Sequence, residues 1–335
     1  AEDNIGITVS WALGWPLLFI SFFFLARTWC SVCTLAMPGI FVQKLLKPQR
    51  KTPLFIKENS GWIMGFFCVV VLWIEIIWDA YDSPILSGCI ILTITVGALL
   101  FSLLYTRRGW CRYLCPLGAI NAIFAMPSIL ELRSNRNLCL NRCTEHHCFR
   151  GGDGEEEGCP MFQHPFMVDN NHDCIFCGKC IKNCKNQSIL LNLRLAPQEL
   201  WEIKVPRLSD SFLIVSLMAI FFPFALREDF YSFVGKAELT LKNITGYIFP
   251  HSFTGSLIFF GLIAILLLLY HAMVAFQAKV SGIDRQKIML FMSYGFIPVV
   301  LGGYLAVHFK ILVNEVWRLI PNFQVLLGYP PTYVG

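Results

Sequence analysis

The sequence predicts an all-α polytopic membrane protein with about six transmembrane helices and one inserted polar domain. The chain has 335 residues, of which 56% are hydrophobic and only 15% are charged. A soluble domain usually carries about 25% charged residues, so this composition indicates a membrane protein. The inserted domain is indicated by eight of the 14 cysteines, which lie together between Cys139 and Cys184 in polar sequence.

Six apolar stretches approach the roughly 20 residues that a helix needs to cross the hydrocarbon core of a bilayer. They are Thr8–Ala26, Gly61–Trp78, Ile85–Tyr105, Ser211–Leu226, Ser252–Ala278 and Ile288–Phe309. Two shorter apolar pieces, Leu35–Leu46 and Leu117–Leu130, each contain proline. We expect interfacial or re-entrant half-helices in these two pieces, because they are too short to span a bilayer.

Lys and Arg are distributed unevenly among the segments between these stretches. The segments after the first, third and fifth stretches contain 22 of them, and the remaining segments contain 5. By the positive-inside rule the inserted domain then faces the cytoplasm, and both termini face outward. The predicted organisation is a membrane domain at 1–132, a cytoplasmic domain at 133–205, and a second membrane domain at 206–335 that ends in an outer interfacial tail from Ile311. The first residue is Ala1 and not Met, so we expect that a start Met or a longer N-terminal piece has been removed.

The last four cysteines of the insert, from Cys174 to Cys184, follow the spacing Cys-x2-Cys-x2-Cys-x3-Cys. Thiolates are the ligands of iron–sulfur clusters, and this is the spacing of bacterial-type ferredoxins. In two-cluster ferredoxins, the fourth cysteine of such a run binds the other cluster. The predicted ligands are therefore Cys159, Cys174, Cys177 and Cys180 for one [4Fe–4S] cluster, and Cys139, Cys143, Cys148 and Cys184 for the second.

Zinc and disulfides are the alternative interpretations of these cysteines. Zinc sites favour separated Cys-x2-Cys pairs and often include histidine. Because the upstream spacing is irregular, zinc stays open for that set, with nearby histidines at His146, His147, His164 and His172. A disulfide scaffold is disfavoured, because the chain is long and the cysteines lie between membrane spans.

Two further cysteine pairs follow the first and third apolar stretches, at Cys30 and Cys33 and at Cys111 and Cys115. An Arg and a Trp precede each pair, and these residues suit the headgroup boundary. The matching flanks form an imperfect internal repeat, which predicts an approximate two-fold arrangement. The four thiols could form a third metal site of the iron–sulfur type at the membrane edge. The alternative is that they are buried packing residues.

The motif Arg-Gly-Trp-Cys-Arg-Tyr-Leu-Cys-Pro-Leu-Gly, which contains Cys111 and Cys115, resembles membrane polyferredoxins related to the nitrous oxide reductase regulator and to the quinol dehydrogenase subunit of periplasmic nitrate reductase. The resemblance covers about residues 8–205. It implies two membrane Cys-x3-Cys-Pro motifs, two ferredoxin-type [4Fe–4S] sites, and electron transfer between the quinone pool or cytoplasmic donors and periplasmic partners. It also implies a bacterial or archaeal cytoplasmic membrane as the location. The chain departs from this pattern at Cys30 and Cys33, whose spacing is shorter and lacks proline, and at Lys185, which stands where proline is usual.

Three polar residues fall near the predicted outer ends of apolar stretches. We expect the Glu75 carboxylate to reach the outer interface, because few residues separate it from the end of its stretch. The alternative is a proton acceptor beside a quinol. His251 and His308 could ligate haem b between two helices or contact a quinone such as menaquinone. A lone interfacial histidine usually does neither.

The function that these observations predict is that of a membrane electron-transfer subunit within a redox complex. Its expected partners are the membrane, other subunits, and a quinone or a cytochrome, and no nucleic acid is expected. No catalytic residue is predicted, because the sequence contains no evident nucleophile–base pair or phosphate loop. The alternatives are a stand-alone quinol dehydrogenase and, in another class, a membrane iron–sulfur redox sensor or assembly factor.

Overall fold

The computed structural model describes residues 4–152, 157–196, 198–201 and 203–330. The described chain is mostly helical. Its α-helices in chain order are α1 (Ile5–Ile7), α2 (Trp15–Leu25), α3 (Met37–Leu46), α4 (Leu54–Glu58), α5 (Ser60–Ile77), α6 (Pro84–Leu104), α7 (Gly109–Tyr113), α8 (Pro116–Phe124), α9 (Arg136–Asn141), α10 (His147–Arg150), α11 (Lys179–Lys182), α12 (Gln198–Trp201), α13 (Leu208–Ala225), α14 (Arg227–Thr245), α15 (His251–Ser281), α16 (Arg285–Gly295), α17 (Ile297–Glu315) and α18 (Leu319–Leu326). Shorter helical elements are a π-helix and three 3-10 turns, at Thr8–Gly14, Thr28–Cys30, Pro165–Met167 and Val316–Arg318.

Six helical segments of the described residues are long and apolar enough to cross a membrane. They are Ile5–Leu25, α5, α6, α13, α15 and Arg285–Leu326. Each coincides with one of the predicted apolar stretches, although the bounds differ. The last segment is longer than predicted and is interrupted at Phe296, between α16 and α17. Pro298 lies just beyond this interruption and has no N–H to donate to the preceding turn.

The chain divides into two compact units. The first consists of Ala1–Phe19, Cys68–Ile90 and Arg207–Gly335, and the second of Ile20–Phe67 and Ile91–Pro206. The second unit contains every cysteine of the insert and both membrane-edge pairs. Residues 331–335 of the predicted tail lie outside the described residues.

The helix α13 is the centre of the first unit, because it packs against α14, α15, α16 and α17. Buried hydroxyls and a carboxylate join it to α16: the Tyr294 hydroxyl donates to Asp210 at 2.8 Å, and the Ser293 hydroxyl donates to Ser211 at 2.7 Å. Buried polar groups are costly unless they are hydrogen-bonded. These two bonds therefore favour one register of α16 against α13.

The amphipathic helix α14 was not predicted, because its sequence is too polar to resemble a span. It packs against α13 and α15 and buries Phe230 and Val234. Its first residue, Arg227, forms an ion pair with Asp79. The Tyr231 hydroxyl donates to the Ile76 carbonyl at 2.6 Å, which attaches the start of α14 to the end of α5.

Two antiparallel strands in the second unit, β1 (Leu130–Ser134) and β2 (Ile189–Leu193), enclose the cysteine-rich segment. Ser134 lies opposite Ile189, and the Asn135 N–H continues the pairing by donating to the Ser188 carbonyl at 2.8 Å. The ladder thus brings the two ends of the inserted segment together. Sequence analysis did not predict these strands.

The two predicted half-helices correspond to α3 and α8. The helix α8 is almost completely buried, whereas α3 exposes Phe41, Leu45 and Leu46. The existence of both helices is confirmed, and their position relative to a membrane surface stays a prediction. Exposed apolar side chains on α3 suit an interfacial location.

The carboxylate of Glu199 is the buried centre of a charged network beside the strands. It forms ion pairs with Arg133 and Arg194 and accepts the backbone N–H of Asn171 at 2.7 Å. Burial raises the pKa of Glu199, and Arg194 opposes this shift. The Asn171 side chain donates in turn to the Leu130 carbonyl at 2.7 Å, which joins the network to β1.

We expect Glu199→Ala to destabilise the second unit, because it removes the buried carboxylate between two arginines and leaves them their ion pairs with Glu131. Removing one partner of a buried ion pair costs about 3–5 kcal/mol, and the partial exposure of Arg133 places this case near the lower end. Thermal unfolding of the detergent-solubilised protein, followed by circular dichroism, should shift downward by roughly 5 °C or more. The control Glu58→Ala removes an exposed carboxylate and should leave the midpoint unchanged. Equal midpoints for both variants would contradict a structural role for Glu199.

Candidate iron–sulfur centres

The thiols of Cys159, Cys174, Cys177 and Cys180, here called the ferredoxin set, line one small cavity of about 30 Å³. Gly178 has φ +72°, a left-handed conformation that glycine adopts without strain, and so turns the chain between Cys177 and α11. The buried side chains of Met161 and Ile175 lie at the same cavity. The structure therefore brings together all four cysteines that the sequence predicts for one cluster.

Burial is the largest influence on the pKa values of Cys174 and Cys180 in the ferredoxin set. It raises the pKa of Cys174 to about 12, with the neighbouring thiols of Cys159 and Cys177 adding to the shift. Burial also raises the pKa of Cys180, with Cys174, Cys159 and Cys177 contributing in the same direction. Burial thus favours the neutral thiols of Cys174 and Cys180 over their thiolates. Because iron binds the thiolate, metal binding here must release protons.

A second group, here called the upstream set, consists of Cys139, Cys143, Cys148 and Cys184. The buried Ser188 connects its first and last members: the Ser188 hydroxyl lies 3.1 Å from the Cys139 sulfur and accepts from the Cys184 thiol at 3.7 Å. The Ser188 N–H also donates to the Cys184 sulfur at 3.3 Å. Cys184 thus lies with the upstream cysteines, as the crossed pattern predicts.

Cys148 lies near the other three cysteines of the upstream set. Burial raises its pKa to about 11, and the thiols of Cys184, Cys143 and Cys139 each add to this shift, in that order. The Cys159 N–H donates to the Cys148 carbonyl at 3.1 Å, so the two sets are adjacent through the backbone. The sequence suggested the four members of this set, but no signal in it indicated Ser188.

The four thiols at the ends of the first and third spans, here called the membrane-edge set, also lie together. Burial raises the pKa of Cys111 to about 12, and the nearby Cys30 and Cys33 thiols add to this shift while Arg108 opposes it. The pKa of Cys115 is raised by burial and by Cys111, Cys30 and Cys33. The Asn121 side-chain amide donates to the Cys30 sulfur at 3.2 Å. The repeat therefore brings its four cysteines into one neighbourhood.

The arginines of the two repeats contact protein groups, and their position relative to a headgroup boundary stays a prediction. Arg27 is only 2% exposed. Arg108, its counterpart in the second repeat, donates to the carbonyl oxygens of Cys30 and Ser31 in the first repeat, at 2.7 and 2.9 Å. Each arginine thus lies against the cysteine motif of the other repeat, since Arg27 lies beside Gly118 in α8, just after Cys115.

The donor chemistry of all three sets fits iron–sulfur clusters. Thiols surround the ferredoxin cavity, and a cubane uses one thiolate for each of its irons, so its ligands stand well apart. Among the described residues, no group of three or more His, Cys, Asp or Glu side chains is arranged to hold a single metal ion. The histidines near the upstream set have other contacts: His146 and His164 are hydrogen-bonded to each other at 3.2 Å.

The polar residues of the first unit are arranged differently from expectation. Glu75 is buried at 8% exposure, so the expectation that it reaches the outer interface is wrong. It lines a cavity of about 240 Å³ together with Trp11, Tyr81, Phe224, Arg227 and His308. His251 is not at this cavity; it is half exposed and pairs with Glu238 on α14. The predicted histidine pair therefore does not form one site.

The His308 ring is held in a defined orientation. Its Nδ1 donates to the Tyr304 carbonyl at 2.7 Å, and the ring stacks on Phe19 with centroids 4.0 Å apart. Donation from Nδ1 leaves Nε2 of the neutral ring as a hydrogen-bond acceptor. The cavity thus combines a carboxylate and an imidazole with aromatic walls.

Comparisons with known proteins agree with this description. A family model described as a 4Fe-4S binding domain matches residues 7–53 and 88–133, so each match contains one copy of the internal repeat. The chain is 27% identical over 133 residues to the ferredoxin-type protein NapH of Escherichia coli, covering 36% of this chain and 44% of that protein. It is 29% identical over 104 residues to the putative electron transport protein YccM of Escherichia coli, covering 29% of this chain and 25% of that protein.

A third relative is the methylamine utilization ferredoxin-type protein MauN of Methylorubrum extorquens, with 37% identity over 62 residues, 16% of this chain and 22% of that protein. The chain thus spans less than half the length of these curated relatives. No solved structure matches the chain. Taken with the six apolar helices and the cysteine sets, these similarities support a resemblance of the chain to NapH-like ferredoxin-type proteins.

Proposed function

We propose that the chain is a membrane electron-transfer subunit that binds two [4Fe–4S] clusters. The observation that carries this proposal is the cavity lined by Cys159, Cys174, Cys177 and Cys180. A cluster bound there supplies one-electron oxidation and reduction. The chain contributes four thiolates, holds them around one space, and excludes water with buried apolar side chains.

The upstream set would hold the second cluster, with Cys139, Cys143, Cys148 and Cys184 as ligands. Ser188 supports this assignment, because its hydroxyl and its N–H contact sulfur atoms from both ends of the inserted segment. Hydrogen bonds to ligand sulfur are one of the means by which a protein tunes cluster potentials. The role of Ser188 would be to orient two thiolates and to set the potential of this site.

The membrane setting suggests the classes of partner. The distribution of Lys and Arg supports an inserted domain on the cytoplasmic side. The donor would then be a cytoplasmic reductant or the quinone pool, and the acceptor a membrane or periplasmic redox partner within a complex. The names of the relatives, which describe ferredoxin-type and electron transport proteins, support this role.

The crossed ligand assignment predicts which cysteine variants share a phenotype. Cys148→Ala and Cys184→Ala should remove the same EPR signal, and Cys177→Ala should remove the other, because Cys184 lies in the upstream set. Iron and acid-labile sulfide should fall by about one cluster per chain in each variant. The control Cys89→Ala, which changes an exposed thiol on α6, should retain both signals. Loss of the same signal in Cys184→Ala and Cys177→Ala would contradict the crossing.

The membrane-edge set would hold a third iron–sulfur site. The match of a 4Fe-4S family model to both repeats supports this proposal, because the matched segments contain these cysteines and none from the insert. Asn121 would contribute a hydrogen bond to the Cys30 sulfur. A third site would extend the route for electrons from the insert to the edge of the membrane.

We expect Cys111→Ala to lower total iron and sulfide while both EPR signals of the insert persist. The loss should match one cluster, because Cys111 lies among the other three thiols of this set. The same Cys89→Ala variant is the control. Iron and sulfide counts equal to those of the wild type would instead support the packing interpretation of these four cysteines.

A second candidate function is quinol oxidation by the chain itself. The cavity that contains Glu75 and His308 favours it, because oxidation of a quinol releases protons as well as electrons. A buried carboxylate and the acceptor Nε2 of His308 could take up these protons, and the aromatic walls suit a quinone ring. Haem bound by His251 and His308 gains no such support.

Reduction of the bound clusters by a short-chain quinol, measured in stopped flow with the purified chain, tests this function. Glu75→Gln should slow reduction at least tenfold, because the amide cannot accept a proton, while dithionite reduction stays unchanged. Glu58→Gln, in an exposed position, is the matched control. A wild-type chain that is inert toward quinols would exclude the second function and leave the first intact. Labile clusters that never turn over would instead favour a redox sensor or assembly factor.

A further inference from the structure

Arg27 is a buried cation that has no role in the proposed function described above. It lies two residues after the end of α2 and is 2% exposed. A buried guanidinium is costly unless charge or hydrogen bonds compensate it. Among the described residues Arg27 forms no ion pair with a carboxylate, and its Nε has no hydrogen-bond partner.

One side of the guanidinium lies against the ferredoxin set. Its Nη1 donates to the carbonyl oxygen of His172, two residues before Cys174. The next residue, Asp173, forms an ion pair with Arg112, which follows Cys111 in the chain. Two arginines thus attach the loop that carries Cys174, and only Arg27 is buried against it.

The other side of the guanidinium lies against the membrane-edge set. A methyl group placed on Gly118 would lie 3.5 Å from the Arg27 Nη2, 3.2 Å from the Cys111 carbonyl oxygen and 3.3 Å from the Cys115 Cβ. The guanidinium, the Cys111 carbonyl and the Cys115 side chain therefore all lie around the same face of Gly118. The charge of Arg27 acts on both the Cys111 and the Cys174 thiols.

We propose that Arg27 is a positioning residue that serves as the shared counter-cation of the ferredoxin and membrane-edge sets. This inference rests on the proposed function, because it assumes that the thiols bind clusters. A cluster with its thiolates carries net negative charge, and reduction adds a further electron. A fixed cation nearby stabilises the reduced form and so raises the reduction potential. Because Arg27 lies between two sets, it would raise the potentials of both centres and lower the repulsion between their charges.

Potentiometric titration of the purified, cluster-loaded chain, followed by EPR, tests the proposal. In Arg27→Gln, the midpoint of the cluster that Cys177→Ala eliminates should become more negative. The expected change is at least tenfold in the reduction equilibrium, which corresponds to about 59 mV for one electron. Arg27→Lys keeps the charge and should stay within about threefold of the wild type. The control Arg50→Gln removes an exposed arginine over the Tyr105 ring and should not move the midpoint.

The outcomes separate this inference from the proposed function. A wild-type chain without clusters overturns the proposed function, and the inference with it. Clusters that are present with the same midpoint in the wild type and Arg27→Gln overturn the inference alone. If Arg27→Gln assembles no cluster, iron content decides: retention in Arg27→Lys supports a requirement for the charge, whereas equal loss in both variants overturns it.

Discussion

The burial of thiol groups is the constraint on which the second unit depends. Cys111, Cys115, Cys174 and Cys180 lie where burial strongly favours the neutral thiol over the thiolate. An apolar environment that disfavours one thiolate disfavours four of them together still more. Such sites are stable in their charged form only when a metal core and nearby cations compensate the charge. The buried arginines and the serine, asparagine and backbone donors around the sulfurs follow from this requirement.

The pairing of β1 with β2 holds the two ends of the inserted segment together. It brings residue 134 opposite residue 189, so the segment between them is closed at its base. Within this loop, cysteines that are 45 positions apart in sequence can contact one serine, as Cys139 and Cys184 contact Ser188. The charged network around Glu199 stabilises the same base. Local spacing therefore defines the ferredoxin set, whereas strand pairing defines the upstream set.

The sequence predicted those features that depend on composition or on short spacing. Six apolar stretches, two half-helices and the run from Cys174 to Cys184 were identified because their signals lie within one element. Features that depend on tertiary packing were missed or misinterpreted. The sequence pattern of an arginine at the end of a span is the same whether its side chain contacts lipid headgroups or is buried in the protein. The burial of Arg27 was therefore not predicted. Glu75 was expected at the outer interface because few residues separate it from the end of its stretch, whereas its burial depends on tertiary packing. The helix α14 was missed because an amphipathic helix gives no span-like signal.

The crossed arrangement of the cysteines has a consequence for the order of biogenesis. A ribosome adds about 5–20 residues each second, so Cys139 emerges several seconds before Cys184. In the proposed arrangement the upstream set lacks a ligand throughout this interval, while three spans are already available for insertion. The ferredoxin set becomes complete first, at Cys180, although its first ligand, Cys159, is made after three of the four upstream ligands. The upstream set is thus completed after the ferredoxin set, and the strand that closes the base of the insert is made later still, from Ile189 to Leu193.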